Sequence, residues 1–294
     1  PSYFFATNDE ENVALDQLKL KLQQLGDGVK VVADTTGHQS VVSGLGPAVQ
    51  RILRLEGEGH MLGYGATQAF LGASQVTRFW SEPVASIVED AHGVVVHCRT
   101  EKLRARAVLC AMGVATGKFF EQLPVMPRAG QLIVTDSTGP GPNPLDGSLT
   151  SGAYLISKTT VNVVPHALPV VIDPLSTGQF LIGSTREPHG RSDLTDISVL
   201  QRLLQRAVQI YPALKNRRVI RSFTGVRAAV QDGLPIMGLM PQTQRTWMAT
   251  GFEGDGICLA AWIGRTFCDG LAGIIDPRLA VLSPQRFALQ GAKA

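Results

Sequence analysis

What this sequence lacks excludes several broad classes of protein. No apolar run approaches the roughly 18 residues needed to span a bilayer. No basic segment with an apolar core opens the chain, so that no signal peptide is expected. The sequence also lacks a large excess of either charge, because 27 Lys and Arg against 24 Asp and Glu leave a net charge of only +3. Without a basic patch interleaved with aromatic residues, we expect no nucleic-acid partner.

Cysteine is scarce as well. The four cysteines, Cys98, Cys110, Cys258 and Cys268, form no Cys-x-x-Cys pair, which predicts no metal or iron–sulfur site. We expect them to be small buried side chains in a reducing compartment, with cytoplasmic localisation as the default. Gly-x-Ser-x-Gly, Walker and His-Glu-x-x-His motifs are also absent, so the commonest signatures of hydrolases and kinases are missing.

What is present is typical of a globular protein with many short strands and turns. Hydrophobic residues make up 44% of the 294 residues, beside 31 glycines and 17 prolines, which suits one large or two moderate domains. In the first half, hydrophobic periodicity and turn residues predict helices at 10–25, 47–55 and 66–74, and strands at 3–7, 84–89, 93–99 and 103–112.

The second half of the chain is predicted as a meander of strands with one covering helix, an α+β layer. The strands are expected at 131–136, 154–157, 160–165, 180–185 and 218–223, and the covering helix at 197–211. A strand at 247–250 and an apolar helix at 257–268 follow, with three glycines between them. A glycine turn between a strand and a helix lets backbone N–H groups approach a polar ligand closely, although such a turn also occurs with no ligand.

Six segments, in order along the chain, carry a resemblance to a known family. They are Val-Leu-Cys-Ala-Met-Gly at 108–113, Pro-Arg-Ala-Gly-Gln at 127–131, Ile-Gly-Ser-Thr-Arg-Glu at 182–187, Gly-Val-Arg at 225–227, Asp-Gly-Leu-Pro-Ile-Met-Gly at 232–238, and Gly-Phe-Glu-Gly-Asp-Gly-Ile at 251–257. Together they resemble the D-amino-acid oxidase-like flavoproteins, in particular the group of D-hydroxyproline dehydrogenase, opine oxidase and the sarcosine oxidase β-subunit. The resemblance implies FAD as cofactor.

One departure from that family concerns its phosphate-binding motif. Such flavoproteins begin with a strand, Gly-x-Gly-x-x-Gly and a helix that hold the FAD pyrophosphate, and no such motif occurs near the start of this sequence. A fragment, an omitted N-terminal part, or a nucleotide-binding unit on another subunit each explains the departure. We expect this chain to hold FAD poorly by itself.

The resemblance implies a fold that is α/β plus α+β. An incomplete FAD-binding domain, Rossmann-like and of the glutathione-reductase type, is interleaved with an antiparallel-sheet substrate domain. The expected boundaries give the substrate domain residues 1–58 and 123–224, and the FAD-binding domain residues 59–122 and 225–294.

Arg227 is the first candidate for substrate binding. A planar guanidinium is suited to bidentate contact with a carboxylate, and the resemblance implies that this arginine binds the carboxylate of an amino acid. A surface arginine or an ion pair with Asp232 is the structural alternative. Arg128 and Arg186 are rivals, each expected to pair with nearby acids.

Glu253 and Tyr154 complete the candidate catalytic set. Glu253 is a candidate for orienting the substrate amine, and Tyr154 is a candidate for the substrate pocket, although aromatic side chains in strands more often belong to the core. His60 is expected to be an exposed loop residue. The candidate cofactor-binding residues implied by the resemblance are Val84, Ala111, Gly113, Gly225, Asp232, Gly251, Phe252, Gly254, Asp255, Gly256 and Ile257.

Two members of that set have alternatives. Asp255 is more simply explained as the N-cap of its own helix. Phe252 stands where the family often has His, so a role of that His does not carry over. The helix that follows is expected to direct its positive end at the flavin, where negative charge builds up on reduction.

The resemblance implies oxidation of a C–N bond next to a carboxylate, by hydride transfer to flavin N5, in a D-amino acid, D-hydroxyproline, opine or sarcosine type of substrate. The loop at 251–257 favours a dehydrogenase. Two alternatives stay open: a non-catalytic or partner-dependent subunit of a flavoprotein complex, and a glycerol-3-phosphate-type flavin dehydrogenase. Expected partners are a small amino-acid-like substrate and a second subunit or electron acceptor.

Overall fold

The computed structural model describes residues 1–26, 28–36, 41–139, 143–159 and 168–287. The strand predicted at 160–165 lies outside the described residues. The chain divides into two compact units: Pro1–Met61 with Ala129–Val226, and Leu62–Arg128 with Arg227–Ala294. The mixed fold class predicted from the sequence is confirmed, while the assignment of the parts to FAD and to substrate stays a prediction.

The first unit is built on an eight-stranded sheet. Its strands are β1 (Ser2–Ala6), β2 (Lys30–Thr36), β3 (Arg51–Glu56), β8 (Val125–Thr135), β9 (Ser148–Ser151), β10 (Val171–Pro174), β11 (Phe180–Gly183) and β12 (Val219–Val230). They lie in the order β12-β8-β11-β10-β9-β1-β3-β2. β1 runs parallel to β9 and antiparallel to β3.

Helix α5 (Ile197–Ile210) packs on one face of this sheet. The apolar residues predicted on one face of the helix include Leu203, Ala207 and Ile210, which are fully buried. They pack with side chains from successive strands, among them Ile133 and Ile182. Burial of this apolar stripe is the main force that holds the helix against the sheet.

Helices α1 (Asp9–Leu25) and α4 (Gly152–Thr159) pack against each other in this unit. Leu15 of α1 is buried with Leu53 and Leu55 of β3. Two hydrogen bonds cap the start of α1. The Asn8 side chain accepts from the Glu11 N–H, and the Glu11 carboxylate accepts from the Thr7 N–H at 2.7 Å. The arrangement resembles a capping box, except that the carboxylate accepts from Thr7, the residue before the N-cap.

The second unit contains two three-stranded sheets. One consists of β4 (Val84–Asp90), β5 (Gly93–Cys98) and β6 (Lys102–Ala105), and the other has the order β13-β14-β7, from Ile236–Leu239, Thr246–Thr250 and Val108–Cys110. The helices of this unit are α2 (Gly63–Ala73), α3 (Thr116–Phe119), α6 (Gly256–Leu271) and α7 (Leu279–Leu282).

Three predictions of secondary structure from the sequence are wrong. Residues 51–56 form β3 rather than part of a helix, because Ile52 and Leu53 are each buried in a different cluster, and a run that is apolar on both faces has no period to distinguish strand from helix. Residues 154–157 belong to helix α4. Residues 103–112 form two strands, and these pair in different sheets.

The fourth correction concerns cysteine burial. Cys110 is buried, and burial raises the pKa of its thiol to about 11. Cys258 and Cys268 are instead exposed on α6. Over the described ranges, no helix has the length and apolar character that crossing a membrane requires. The same residues contain no group of three or more His, Cys, Asp or Glu positioned to hold a metal ion.

Candidate functional site

Two glycine turns lie at the same edge of a parallel strand pair in the second unit. β7 and β14 pair in parallel, with Trp247 opposite Leu109 and Met248 opposite Cys110. β7 leads into a turn at Gly113, and β14 leads into a turn that opens at Gly251. The carboxyl edge of parallel strands is the usual location of ligand sites in α/β folds, so the pairing brings two segments far apart in sequence to one such edge.

Two buried threonines join these turns. The Thr250 hydroxyl donates to the Gly113 carbonyl oxygen at 3.0 Å and accepts from the Thr116 hydroxyl at 3.2 Å. Both threonine residues are at most 1% exposed. Neither residue was predicted from the sequence as part of a site, and their separation of 134 positions leaves no local signal.

The turn after β14 requires left-handed backbone at three positions. The φ angles of Gly251, Glu253 and Gly254 are 77°, 46° and 105°. A Cβ atom at Gly251 would lie 2.3 Å from Cγ2 of Val230, so both the backbone angle and the available space demand glycine there. Glu253 adopts the left-handed conformation at a cost of about 1–2 kcal/mol, which surrounding contacts must offset.

Helix α6 begins directly after this turn, at Gly256. Asp255 occupies the N-cap position, but its side chain accepts no hydrogen bond from the first turn of the helix. The expectation that Asp255 caps its own helix is therefore wrong. The first N–H groups of a helix carry its positive end, and here no side-chain cap from Asp255 covers them.

Arg227 lies near the end of β12, half-buried, with its guanidinium beside the same turn. A Cβ atom at Gly254 would lie 3.9 Å from Nε of Arg227, which is ordinary van der Waals contact. The neighbouring Ala228 carbonyl accepts a hydrogen bond from the Glu253 N–H at 3.0 Å. The strand that carries Arg227 is thus bonded directly to the turn.

Asp232, the ion-pair partner proposed for Arg227, forms a salt bridge with Arg286 at 2.8 Å. Burial of this carboxyl favours its neutral form, but the hydrogen bonds from Arg286 and from the Leu234 N–H outweigh burial and lower its pKa.

Glu253 forms an ion pair with Arg128. The Arg128 Nη1 donates to the Glu253 Oε1 at 2.8 Å, and the two side chains are 10% and 16% exposed. Arg128 was considered as a rival for the substrate carboxylate, with an acid as its expected partner. That acid is the residue predicted to orient the substrate amine.

The remaining candidates lie in several elements. Phe252 packs against the cluster of Met237, Trp247 and Leu279. Ile257 is exposed on α6, close to Gly63 of α2, where a Cβ atom built on the glycine would lie 2.6 Å from the Ile257 Cδ1. The other positions are as follows: Val84 begins β4, Ala111 follows β7, and Gly225 lies in β12 with no atom within 4 Å of a built Cβ.

Tyr154, Arg186 and His60 belong to the first unit. Tyr154 is on α4, where the Lys158 ammonium lies 5.7 Å from its ring centroid, so the predicted strand position is wrong. Arg186 donates to the Ser157 hydroxyl at 3.4 Å. His60 is exposed and lies outside any helix or strand, with its Nδ1 3.8 Å from the Asp173 carboxylate.

Comparison with curated proteins gives several relatives. A subunit of the opine oxidase of Agrobacterium tumefaciens (strain Ach5) is 25% identical over 300 aligned residues, which cover 99% of this chain and 75% of that protein. Glycine oxidase of Bacillus subtilis (strain 168) is 25% identical over 217 residues, 71% of this chain and 54% of that protein. The alignments span about half the length of the glycine oxidases of Bacillus subtilis and Bacillus licheniformis.

Solved structures share the fold. L-proline dehydrogenase from P. horikoshii superposes with a TM-score of 0.81 at 17% identity, covering 98% of this chain and 76% of that one. Glycine oxidase from Geobacillus kaustophilus gives a TM-score of 0.80 at 23% identity, covering 96% and 73%.

A family model described as FAD dependent oxidoreductase matches residues 1–269. This range includes β7, β14, both glycine turns and most of α6, so the match covers the site described above as well as the fold. The resemblance found in the sequence motifs is confirmed. The chain belongs to the family of FAD-dependent oxidoreductases.

Proposed function

We propose that this protein oxidises the C–N bond of an amino acid or of a secondary amine that carries a carboxylate. The observation that carries the proposal is the placement of the Arg227 guanidinium beside Gly254, in the turn at the carboxyl edge of β7 and β14. A guanidinium at that position can hold a carboxylate in a fixed orientation. The relatives named for glycine and opine oxidation support this class of substrate.

The residues at this edge fit the flavin that the family requires. Gly113 has no atom within 4 Å of a built Cβ, which leaves open space beside the backbone. The N-terminal end of α6 favours negative charge near its first turn. We assign to FAD the backbone of 251–257 together with Gly113, and we add Val84, Ala111, Gly225 and Asp232 on the resemblance alone.

When bound at this edge, FAD would supply the redox chemistry as the hydride acceptor. The chain's own contribution is then binding and orientation: Arg227 holds the carboxylate, and the glycine turn lets the backbone approach closely. Tyr154 stays a proposed member of the catalytic set. We assign the first unit to substrate and the second to FAD.

Substitution of Arg227 tests this proposal. Loss of two charge-assisted hydrogen bonds corresponds to about 3–6 kcal/mol, so R227M should lower kcat/KM for amino acids by roughly 10²- to 10⁴-fold. Arg265 is a matched control, because it is 82% exposed on α6, and R265M should match the wild type. The discriminating substrate is the corresponding amine without a carboxylate.

If Arg227 binds the carboxylate, R227M should affect the amine much less than the amino acid. An equal loss on both substrates would show that Arg227 acts on the fold or on the cofactor instead. Glycerol 3-phosphate in the same substrate panel tests the alternative of a glycerol-3-phosphate-type dehydrogenase. Oxidation of glycerol 3-phosphate without oxidation of any amino acid would establish that alternative.

A second candidate function is that of a partner-dependent subunit. It is favoured by the alignment of 99% of this chain with a relative that is named as one subunit of an opine oxidase. Native mass measurement with absorbance between roughly 350 and 500 nm tests it. A colourless monomer that gains flavin bands only with a second chain would establish this function, whereas a yellow protein that oxidises its substrate by itself would rule it out.

A further inference from the structure

The Arg128–Glu253 ion pair is well buried within the second unit. Its side chains are 10% and 16% exposed, against 54% and 38% for Arg104–Asp90 and 69% and 19% for Arg278–Asp276. Burying two charges costs solvation free energy that their attraction only partly offsets. Fixing one particular geometry, rather than adding stability, is therefore the role that this pair suits.

That geometry is the turn between β14 and α6. Glu253 has a φ angle of 46°, and a glutamate gains nothing from the left-handed region by itself. Contacts of both its backbone and its side chain hold it there: its N–H donates to the Ala228 carbonyl at 3.0 Å, and its carboxylate accepts from Arg128 at 2.8 Å. The residue is thus fixed at both its backbone and its side chain.

The fixed turn lies beside Arg227. Gly254 follows Glu253 directly, and its built Cβ lies 3.9 Å from Nε of Arg227. Ala228, which accepts from Glu253, follows Arg227 in β12. A displacement of Glu253 therefore displaces both the turn and the strand that carries Arg227.

We infer that Glu253 is a positioning residue, and that its pair with Arg128 sets the turn at 251–256 and the orientation of Arg227. This inference rests on the proposed function, and it replaces the expectation that Glu253 contacts the substrate amine. A carboxylate that accepts from a guanidinium at 2.8 Å already has its charge compensated, and is thereby less suited to binding a substrate ammonium group.

The kinetic test is a double-mutant cycle with R128M, E253Q and the double variant. Because the two side chains act as a pair, each single variant should lower kcat/KM by at least tenfold, chiefly through KM. The double variant should be no worse than the more impaired single variant. R128K, which keeps the charge, should recover most of the loss. Additive losses, or full activity in R128M with loss in E253Q alone, would show that Glu253 acts on the substrate by itself.

Hydrogen exchange of the backbone provides a test that needs no activity. The Glu253 N–H is bonded to Ala228, so amides in 251–256 should exchange at least tenfold faster in R128M and E253Q than in the wild type. R51M is the matched control, since Arg51 is 14% exposed and pairs with Asp34 at 2.8 Å in the first unit. Exchange in 251–256 should stay unchanged in R51M.

The two measurements separate the possible failures. If the wild-type protein oxidises no amine, but amides in 251–256 exchange faster in R128M and E253Q, the proposed function is overturned. The role of the pair in setting the turn is then kept. Unchanged exchange at 251–256 in both variants would overturn the inference, whatever the activity.

Discussion

Substitution of Gly251 by alanine tests whether the turn after β14 is as tightly constrained as its geometry indicates. The φ angle of 77° costs an alanine about 1–2 kcal/mol. The new Cβ would also lie 2.3 Å from Cγ2 of Val230, a buried side chain, and such overpacking costs about 1–3 kcal/mol. The expected loss is thus about 2–5 kcal/mol, a fall in Tm on the order of 10 °C.

Two other glycines separate the contributions. Gly233 has a φ angle of 73° but no atom within 4 Å of a built Cβ, so G233A should lose only the backbone cost of about 1 kcal/mol. Gly264 lies inside α6 with no neighbour within 4 Å, and G264A should gain up to about 1 kcal/mol from helix propensity. Thermal unfolding of the purified variants should give the order G264A, wild type, G233A, G251A.

Removal of the clashing methyl group supplies the decisive variant. V230A takes away the Cγ2 atom that the new Cβ would meet, at a cost of its own of about 1–2 kcal/mol. The double variant G251A/V230A should therefore lose less than the sum of the two single losses, by about 1–3 kcal/mol. Two results would refute this reasoning: G251A unfolding at the same temperature as G233A, or additive stability losses of G251A and V230A in the double variant. Either would show that the turn accommodates an alanine side chain at position 251.

Three further outcomes concern stability elsewhere in the chain. Hydrogen bonds from Arg51 lower the pKa of Asp34 to about 2, so its stabilisation is complete above the unfolded-state pKa of about 3.9 and is lost as pH falls through about 2. In denaturant titrations D34N should therefore cost about 1 kcal/mol at pH 7 and clearly less at pH 2, where about half of the carboxyl is protonated. N8A should cost about 1 kcal/mol by removing the cap of α1, with helical circular dichroism lost at a lower urea concentration, and an unchanged midpoint would contradict the cap. G270A should cost about 1–3 kcal/mol, because its Cβ would lie 2.2 Å from Cη2 of Trp247, and near-ultraviolet circular dichroism of that indole should change with it.

Elements with a clear hydrophobic period could be predicted from the sequence. The helix predicted at 197–211 is Ile197–Ile210 in the structure, because one strongly apolar face repeats with the helical period. The strand at Thr246–Thr250 and helix α6 could be predicted from a different local signal, the glycines that separate the two apolar segments. In each case the signal is local, and local sequence sets the backbone.

The failures share a physical cause. Residues 51–56 and 154–157 are apolar on more than one side, so that their sequence fits a helix or a strand equally well. Tertiary packing decides between them: β3 lies between β1 and β2, whereas α4 packs on α1, where a built Cβ at Gly152 would lie 2.7 Å from Cβ of Glu11. A contact between positions 141 residues apart has no expression in local periodicity.

The same distinction applies within the candidate site. The glycines at 251, 254 and 256 indicate a turn because their backbone demands are local. The contact between Arg128 and Glu253 joins positions 125 residues apart, and nothing near either residue indicates its partner. The sequence therefore predicts where a ligand can approach the backbone, but not which charges fix that backbone.

Phe252 shows how far a family resemblance extends to a single side chain. The family often has His at this position, and a histidine side chain there is able to donate or accept a proton. In this chain the phenyl ring packs with the cluster of Met237, Trp247 and Leu279, and a built Cβ at Gly256 would lie 3.4 Å from its Cβ. Packing of the Phe252 ring against this cluster stabilises the turn on one side. The ion pair between Arg128 and Glu253 stabilises it through a second side chain. Because both side chains of the Phe-Glu pair are committed to contacts within the unit, what the turn itself offers a ligand is chiefly its backbone.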